Sequence, residues 1–205
     1  MTAHDLLWPS AQACLRSASG VLPEWLNCDW PAVMRRAPVE GAWLPVGLRG
    51  PSRSLRHAAF LHSDAVARCT TPESLINAWQ QHPALLDFAS VATLKVISAI
   101  LLDLDLPWGP TGSTGFALAT GYPVLRSDSD LDLLVRAALP LTAQQIALLG
   151  FAQSKADALQ CRLDIQVDTA FGGFALNEWL RAPRQVLLKT DAGPMLTDDP
   201  WSRVP

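Results

Sequence analysis

The rhythm of apolar and polar positions changes twice along the chain. In the first third, short apolar runs are cut by turn formers. "AVMRR", "AWLPVGLRG" and "LRHAAFLH" read as strands, with Pro and Gly between them. The rhythm then becomes helical. "TPESLINAWQQH" opens with Thr71 ahead of Pro72 and Glu73, the pattern of an N-cap followed by proline at the first helical position. In "PALLDFASVATLKVISAILLDL", Leu85, Phe88, Ala92, Val96, Ala99 and Ile100 recur at helical spacing. Apolar residues on its other faces predict a helix buried nearly all round. The last part alternates: "DLDLLV" as strand, "TAQQIALLGFAQSKA" as helix, "CRLDIQVDTA" as strand and "FALNEWLRA" as a short helix. "VLLKTDAGPMLT" predicts a hairpin turning at Asp191-Ala192-Gly193. The mixture points to an α/β or α+β protein. His82-Pro83 is the expected boundary between domains 1–82 and 83–205.

Composition narrows the class. The 205 residues can bury a core without cross-links, and a net charge of −3 gives no sign of a general nucleic-acid binder. Four cysteines lie far apart without a C-x-x-C pair, which disfavours zinc and a disulfide framework and makes the cytoplasm the expected compartment. "MTAHDLLWPSAQ" has an acidic residue and a proline where a secretory leader needs an apolar core. The apolar run around "VISAILL" is too short to span a bilayer, so no membrane role is expected. Charge is unevenly placed. From Pro31 to His57, Arg35, Arg36, Arg49, Arg53 and Arg56 face only Glu40, a sum of +4, so the remainder carries −7.

The candidate chemistry lies in "GSTGFALATGYPVLRSDSDLDLL", residues 112–134. On a strand, Asp130 and Asp132 would share one face, with Leu131 and Leu133 on the other. Two bare carboxylates side by side repel, and a divalent cation removes that cost. Magnesium favours such hard oxygen ligands together with phosphate oxygens. "CRLDIQVD" repeats the device with Asp164 between Leu163 and Ile165, and with Asp168 as second choice for a third carboxylate. Gly112 lets backbone approach a phosphate, Ser113 adds a hydroxyl, and a helix opening at "TGFALA" adds free N–H groups. An EF-hand reading of "DSDLD" fails: counted from Asp128, the sixth position is Leu133 and the twelfth Leu139.

Together these features resemble the nucleotidyltransferase superfamily of polymerase β type, in which a Gly-Ser turn precedes a strand with two metal carboxylates and a later strand supplies a third. "WGPTGSTGFALATG", "SDSDLDLLVR", "HDLLWP", "VMRR", "LPVGLRG" and "GGFALNEW" are similar, more narrowly, to the malonate decarboxylase holo-acyl-carrier-protein synthases, the phosphoribosyl-dephospho-CoA transferases. The resemblance implies an α+β fold: a small, mainly β N-terminal domain, then a polymerase-β-like nucleotidyltransferase domain of mixed sheet and helices. It implies transfer from triphosphoribosyl-dephospho-CoA to a serine of the malonate decarboxylase acyl-carrier subunit, with release of pyrophosphate. Asp130, Asp132 and Asp164 are then the expected Mg²⁺ ligands and catalytic residues, and Gly112 and Ser113 hold phosphates. Arginines suit a polyanion, the donor's phosphates or an acidic carrier: Arg49 first, then Arg35, Arg36 and Arg53. Trp108 is the expected adenine stacker. Sixteen residues lie between Ser113 and Asp130, more than in most nucleotidyltransferases. The rival readings are a transferase acting on another carrier or small molecule, and a non-catalytic nucleotide-binding module.

Overall fold

The alternating first third becomes one antiparallel sheet in the computed structural model, which describes residues 1–17, 19–52, 54–181 and 184–202. Its strands are β1 (Leu6–Pro9), β2 (Leu15–Ser17), β3 (Ala32–Met34), β4 (Trp43–Arg49), β5 (Arg56–His62) and β6 (Val66–Thr70). They lie in the order β2-β5-β4-β3-β1-β6. Register fixes which side chains are buried. Leu44 faces Leu61 and Val46 faces Ala59, and these join Leu7, Met34 and Leu48 in a hydrophobic core. The pairs between them, Pro45 with Phe60 and Gly47 with Ala58, point the other way.

The chain separates into Met1–Thr71 and Pro72–Pro205. The division thus falls before His82-Pro83, because the segment after Thr71 packs with the second unit. Gly109 shows how tightly: a Cβ there would overlap the Pro72 carbonyl. That segment is also not the expected α-helix. It breaks into 3-10 turns at Pro72–Leu75, Ala78–Gln80 and Pro83–Asp87. Proline at 83 donates no amide to a continuing helix and disfavours helical backbone at His82. Helix α1 (Ala89–Ile100) follows. It is not buried all round. Val91, Leu94 and Ile97 are fully buried, whereas Val96 is 44% exposed.

The second sheet contains β7 (Trp108–Pro110), β8 (Leu131–Arg136), β9 (Leu163–Asp168), β10 (Gly173–Ala175), β11 (Val186–Thr190) and β12 (Gly193–Thr197), in the order β12-β11-β10-β9-β8-β7. Among the described residues of this sheet only β8 and β9 run parallel. A parallel pair needs a crossover, and α3 (Ala143–Ala158) supplies it. Its start is fixed by a capping box: the Thr142 hydroxyl accepts from the Gln145 amide at 3.2 Å, and the Gln145 side chain accepts from the Thr142 amide at 2.9 Å. Leu131, Leu133, Val135, Leu163, Ile165 and Val167 are buried, as are Leu149, Ala152 and Ala156 of α3. Between β7 and β8 runs α2 (Gly112–Thr120), and α4 (Leu176–Leu180) follows β10. The hairpin forms as expected, with Thr190 opposite Gly193. Gly193, at φ +121°, supplies backbone that other residues rarely adopt. The fold is α+β: an antiparallel sheet, then a mixed sheet with helices. Among the described residues no helix is long and apolar enough to cross a membrane.

Candidate active site

Register brings the carboxylates together. On parallel strands Asp132 lies directly beside Asp164, at an inter-strand spacing of about 4.8 Å. Both alternate with buried leucine or isoleucine, so both leave the hydrophobic face. Asp130 falls one residue before β8 rather than within it, and is half-buried.

The Gly-Ser turn is laid over the start of β8. Trp108, Gly109 and Pro110 pair antiparallel with Val135, Leu134 and Leu133. The next amide, Thr111 N–H, donates to the Asp132 carbonyl at 2.8 Å. Gly112 then takes φ +60°, and a Cβ there would overlap the Asp132 carboxylate. Glycine is required on both counts. Thr114 is fully buried, and its hydroxyl donates to the Asp130 carbonyl at 3.4 Å. Ser113 stands between these two anchors at the N-terminus of α2. The long separation of Ser113 from Asp130 in sequence is taken up by α2 and residues 121–130.

Two arginines that sequence reasoning passed over tune the same face. The Arg162 guanidinium lies 2.9 Å from Asp164, whose side chain is 38% exposed. Arg136 lies in register with Asp168, with its guanidinium 3.9 Å from the Asp168 carboxylate and 2.6 Å from Glu73. Gln166 donates to Asp168 at 2.9 Å. Asp168 is only 7% exposed, so it is a buried tie four residues along the strand from Asp164. The signal for these partners was their spacing: Arg162 is two residues from Asp164 and Arg136 four from Asp132, so each falls on the strand face that carries an aspartate.

The remaining expectations divide. Trp108 is buried and pairs with inward-facing Val135, so it lies on the sheet face opposite Asp132. Arg36 lies two residues beyond β3, half-buried, and Arg49 ends β4 opposite Arg56; both belong to the first unit. Arg53 falls outside the described residues. All four cysteines are free thiols. Burial pushes the Cys161 thiol above its ordinary value, and the Asp130 charge adds to this, so it is a protonated filler at neutral pH.

Asp132 and Asp164, side by side in register, are hard oxygen donors of the kind a divalent cation would take. Adjacent carboxylates repel unless one is protonated or a cation bridges them. Among the described residues no three His, Cys, Asp or Glu side chains are gathered as a metal centre, and Asp164 is held by Arg162.

Comparison with known proteins gives a consistent result for both units. Residues 2–72 match the family model for the phosphoribosyl-dephospho-CoA transferase MdcG N-terminal domain, and residues 74–200 match its C-terminal domain. A phosphoribosyl-dephospho-CoA transferase of Klebsiella pneumoniae (strain 342) is 42% identical over 209 residues, covering 98% of this chain and 96% of the relative. That of Azotobacter vinelandii is 38% identical over 207 residues, covering 98% and 94%. That of Pseudomonas putida (strain GB-1) is 41% identical over 205 residues, covering 97% and 94%. No solved structure gives a significant match. With both family models meeting where the fold itself divides, the chain belongs to the phosphoribosyl-dephospho-CoA transferases and is a transferase enzyme.

Proposed function

We propose that the chain transfers the phosphoribosyl-dephospho-CoA group from triphosphoribosyl-dephospho-CoA to a serine of the malonate decarboxylase acyl-carrier subunit, in the cytoplasm, releasing pyrophosphate. One observation carries the reading: the Gly112 turn lies against Asp132, and Asp132 lies in register with Asp164. A glycine turn beside paired carboxylates suits a phosphate donor and supports phosphoryl transfer.

Asp130, Asp132 and Asp164 would hold Mg²⁺, which when bound neutralises charge on the triphosphate and on the departing pyrophosphate. Gly112 and Ser113 bind the leaving phosphates through backbone N–H groups and the serine hydroxyl at the start of α2. Arg36, Arg49 and Arg53 bind donor phosphates through paired hydrogen bonds. The carrier serine oxygen attacks the α-phosphorus, its proton passes to Asp164, and the bond to pyrophosphate breaks. A phosphodiester to the carrier and free pyrophosphate are the products. Positioning and charge neutralisation supply most of the acceleration, because the chain has little covalent chemistry to perform.

The test is the mass of the carrier after incubation with the purified chain, donor and Mg²⁺. The account expects a gain equal to one phosphoribosyl-dephospho-CoA group, with one pyrophosphate released per carrier. An unchanged carrier, or an adduct of another mass, contradicts it.

A further inference from the structure

The six strands of the first unit contain no Asp or Glu, and their only Arg or Lys residues are Arg16, Arg49, Arg56 and Arg68. Register sends all four to one face. Arg49 faces Arg56, and Arg16 faces Phe60, which faces Pro45. Gly47, two residues from Pro45, pairs with Val33; Val33 pairs with Leu6; and Trp8, two residues on, pairs with Arg68. The opposite face holds the core of Leu7, Met34, Val46 and Leu61. From β2 to β6 the arginines span five inter-strand steps, roughly 24 Å. That is the length of a helix of about sixteen residues.

Two of these guanidiniums are already ordered, and Arg16 also pairs with Glu40 at 2.9 Å. Arg68 lies 3.6 Å from the centre of the Trp8 ring. Arg16 lies 4.5 Å from that of Trp43 and 4.9 Å from that of Phe60. Stacking on rings holds a guanidinium flat and lowers the entropy lost when an anion arrives. Arg56 and Arg68 are exposed, and neither has an ion-pair partner among the described residues.

We infer that this arginine face of the first sheet docks an acidic helix of the carrier that receives the group, an inference that rests on the reaction proposed above. Complementary charge at such a rim speeds encounter and fixes orientation more than it contributes raw affinity. Arg56 and Arg68 take no part in the donor and carboxylate sites proposed above, so their loss leaves the chemistry intact.

Arg56→Glu and Arg68→Glu, alone and combined, test this against Lys155→Glu, an exposed charge reversal on α3. Each arginine variant should raise the KM for apo-carrier by roughly tenfold, with kcat and the donor KM unchanged. The effect should shrink as salt rises. Lys155→Glu should leave the carrier KM as in the wild type. Equal effects of Lys155→Glu and the arginine variants, or an unchanged carrier KM in the double variant, overturn the inference. Titration of apo-carrier without donor separates the two claims. A wild-type chain that binds carrier through these arginines but transfers nothing overturns the reaction and upholds the face. One that transfers while the double variant binds carrier normally overturns the face and upholds the reaction.

Discussion

At the scale of single residues the site turns on one glycine and two aspartates. Gly112→Ala would force a Cβ into the Asp132 carboxylate and an alanine into left-handed backbone, at a backbone cost of about 1–2 kcal/mol. The account expects a lower melting temperature and a transfer rate reduced on the order of 100-fold, since small displacements of reacting groups are costly. Thermal unfolding and single-turnover transfer measure both. Asp164 and Asp168 should separate cleanly. Asp164→Ala should abolish most transfer and leave the melting temperature nearly unchanged, because its side chain is 38% exposed. Asp168→Ala should instead destabilise by about 1–3 kcal/mol and cost less activity, because it removes a buried carboxylate held by Arg136 and Gln166. A larger activity loss for Asp168→Ala would reverse the assignment. The carboxylates and the Gly-Ser turn were legible in sequence because their alternation and flanking leucines state which face they occupy. That Trp108 takes the face opposite Asp132 was not legible, because proximity to the turn along the chain says nothing of which side of β7 it takes.

At the scale of elements, the parallel pair β8 and β9 does the positioning. Both were readable from apolar alternation, as were α3, from its periodicity, and the final hairpin, from its turn residues. The segment after Thr71 was not. Its helical spacing is real, but the chain is laid flat against β7, where Gly109 leaves no room beneath Pro72, and tertiary packing overrides propensity. Gly109→Ala tests this. The overlap is with backbone, which cannot swing aside, so the variant should lose about 1–3 kcal/mol of stability. Denaturant unfolding measures it, and a wild-type midpoint would contradict the packing described. Activity should fall with it, since β7 leads directly into the Gly112 turn.

At the scale of the whole molecule, charge is divided unevenly between the two units. Met1–Thr71 holds seven arginines and five carboxylates, a sum of +2, leaving −5 for Pro72–Pro205 from the total of −3. The division itself was legible as a change of rhythm, but its place was not, because turns that look helical in sequence pack with the second unit. Arg36→Ala and Arg49→Ala should each raise the donor KM, by an amount on the order of 1.5–3 kcal/mol. Steady-state kinetics with donor varied at saturating carrier measure this, and unchanged KM values would remove phosphate binding from the first unit. The central claim is that paired carboxylates beside the Gly112 turn transfer a phosphoribosyl-dephospho-CoA group. Mass spectrometry of the carrier, incubated with donor, Mg²⁺ and wild type, Asp130→Asn or Asp132→Asn, tests it most directly. The account predicts full conversion by the wild type and nearly none by either variant, with both variants folded as judged by circular dichroism; conversion by a variant at the wild-type rate would contradict it.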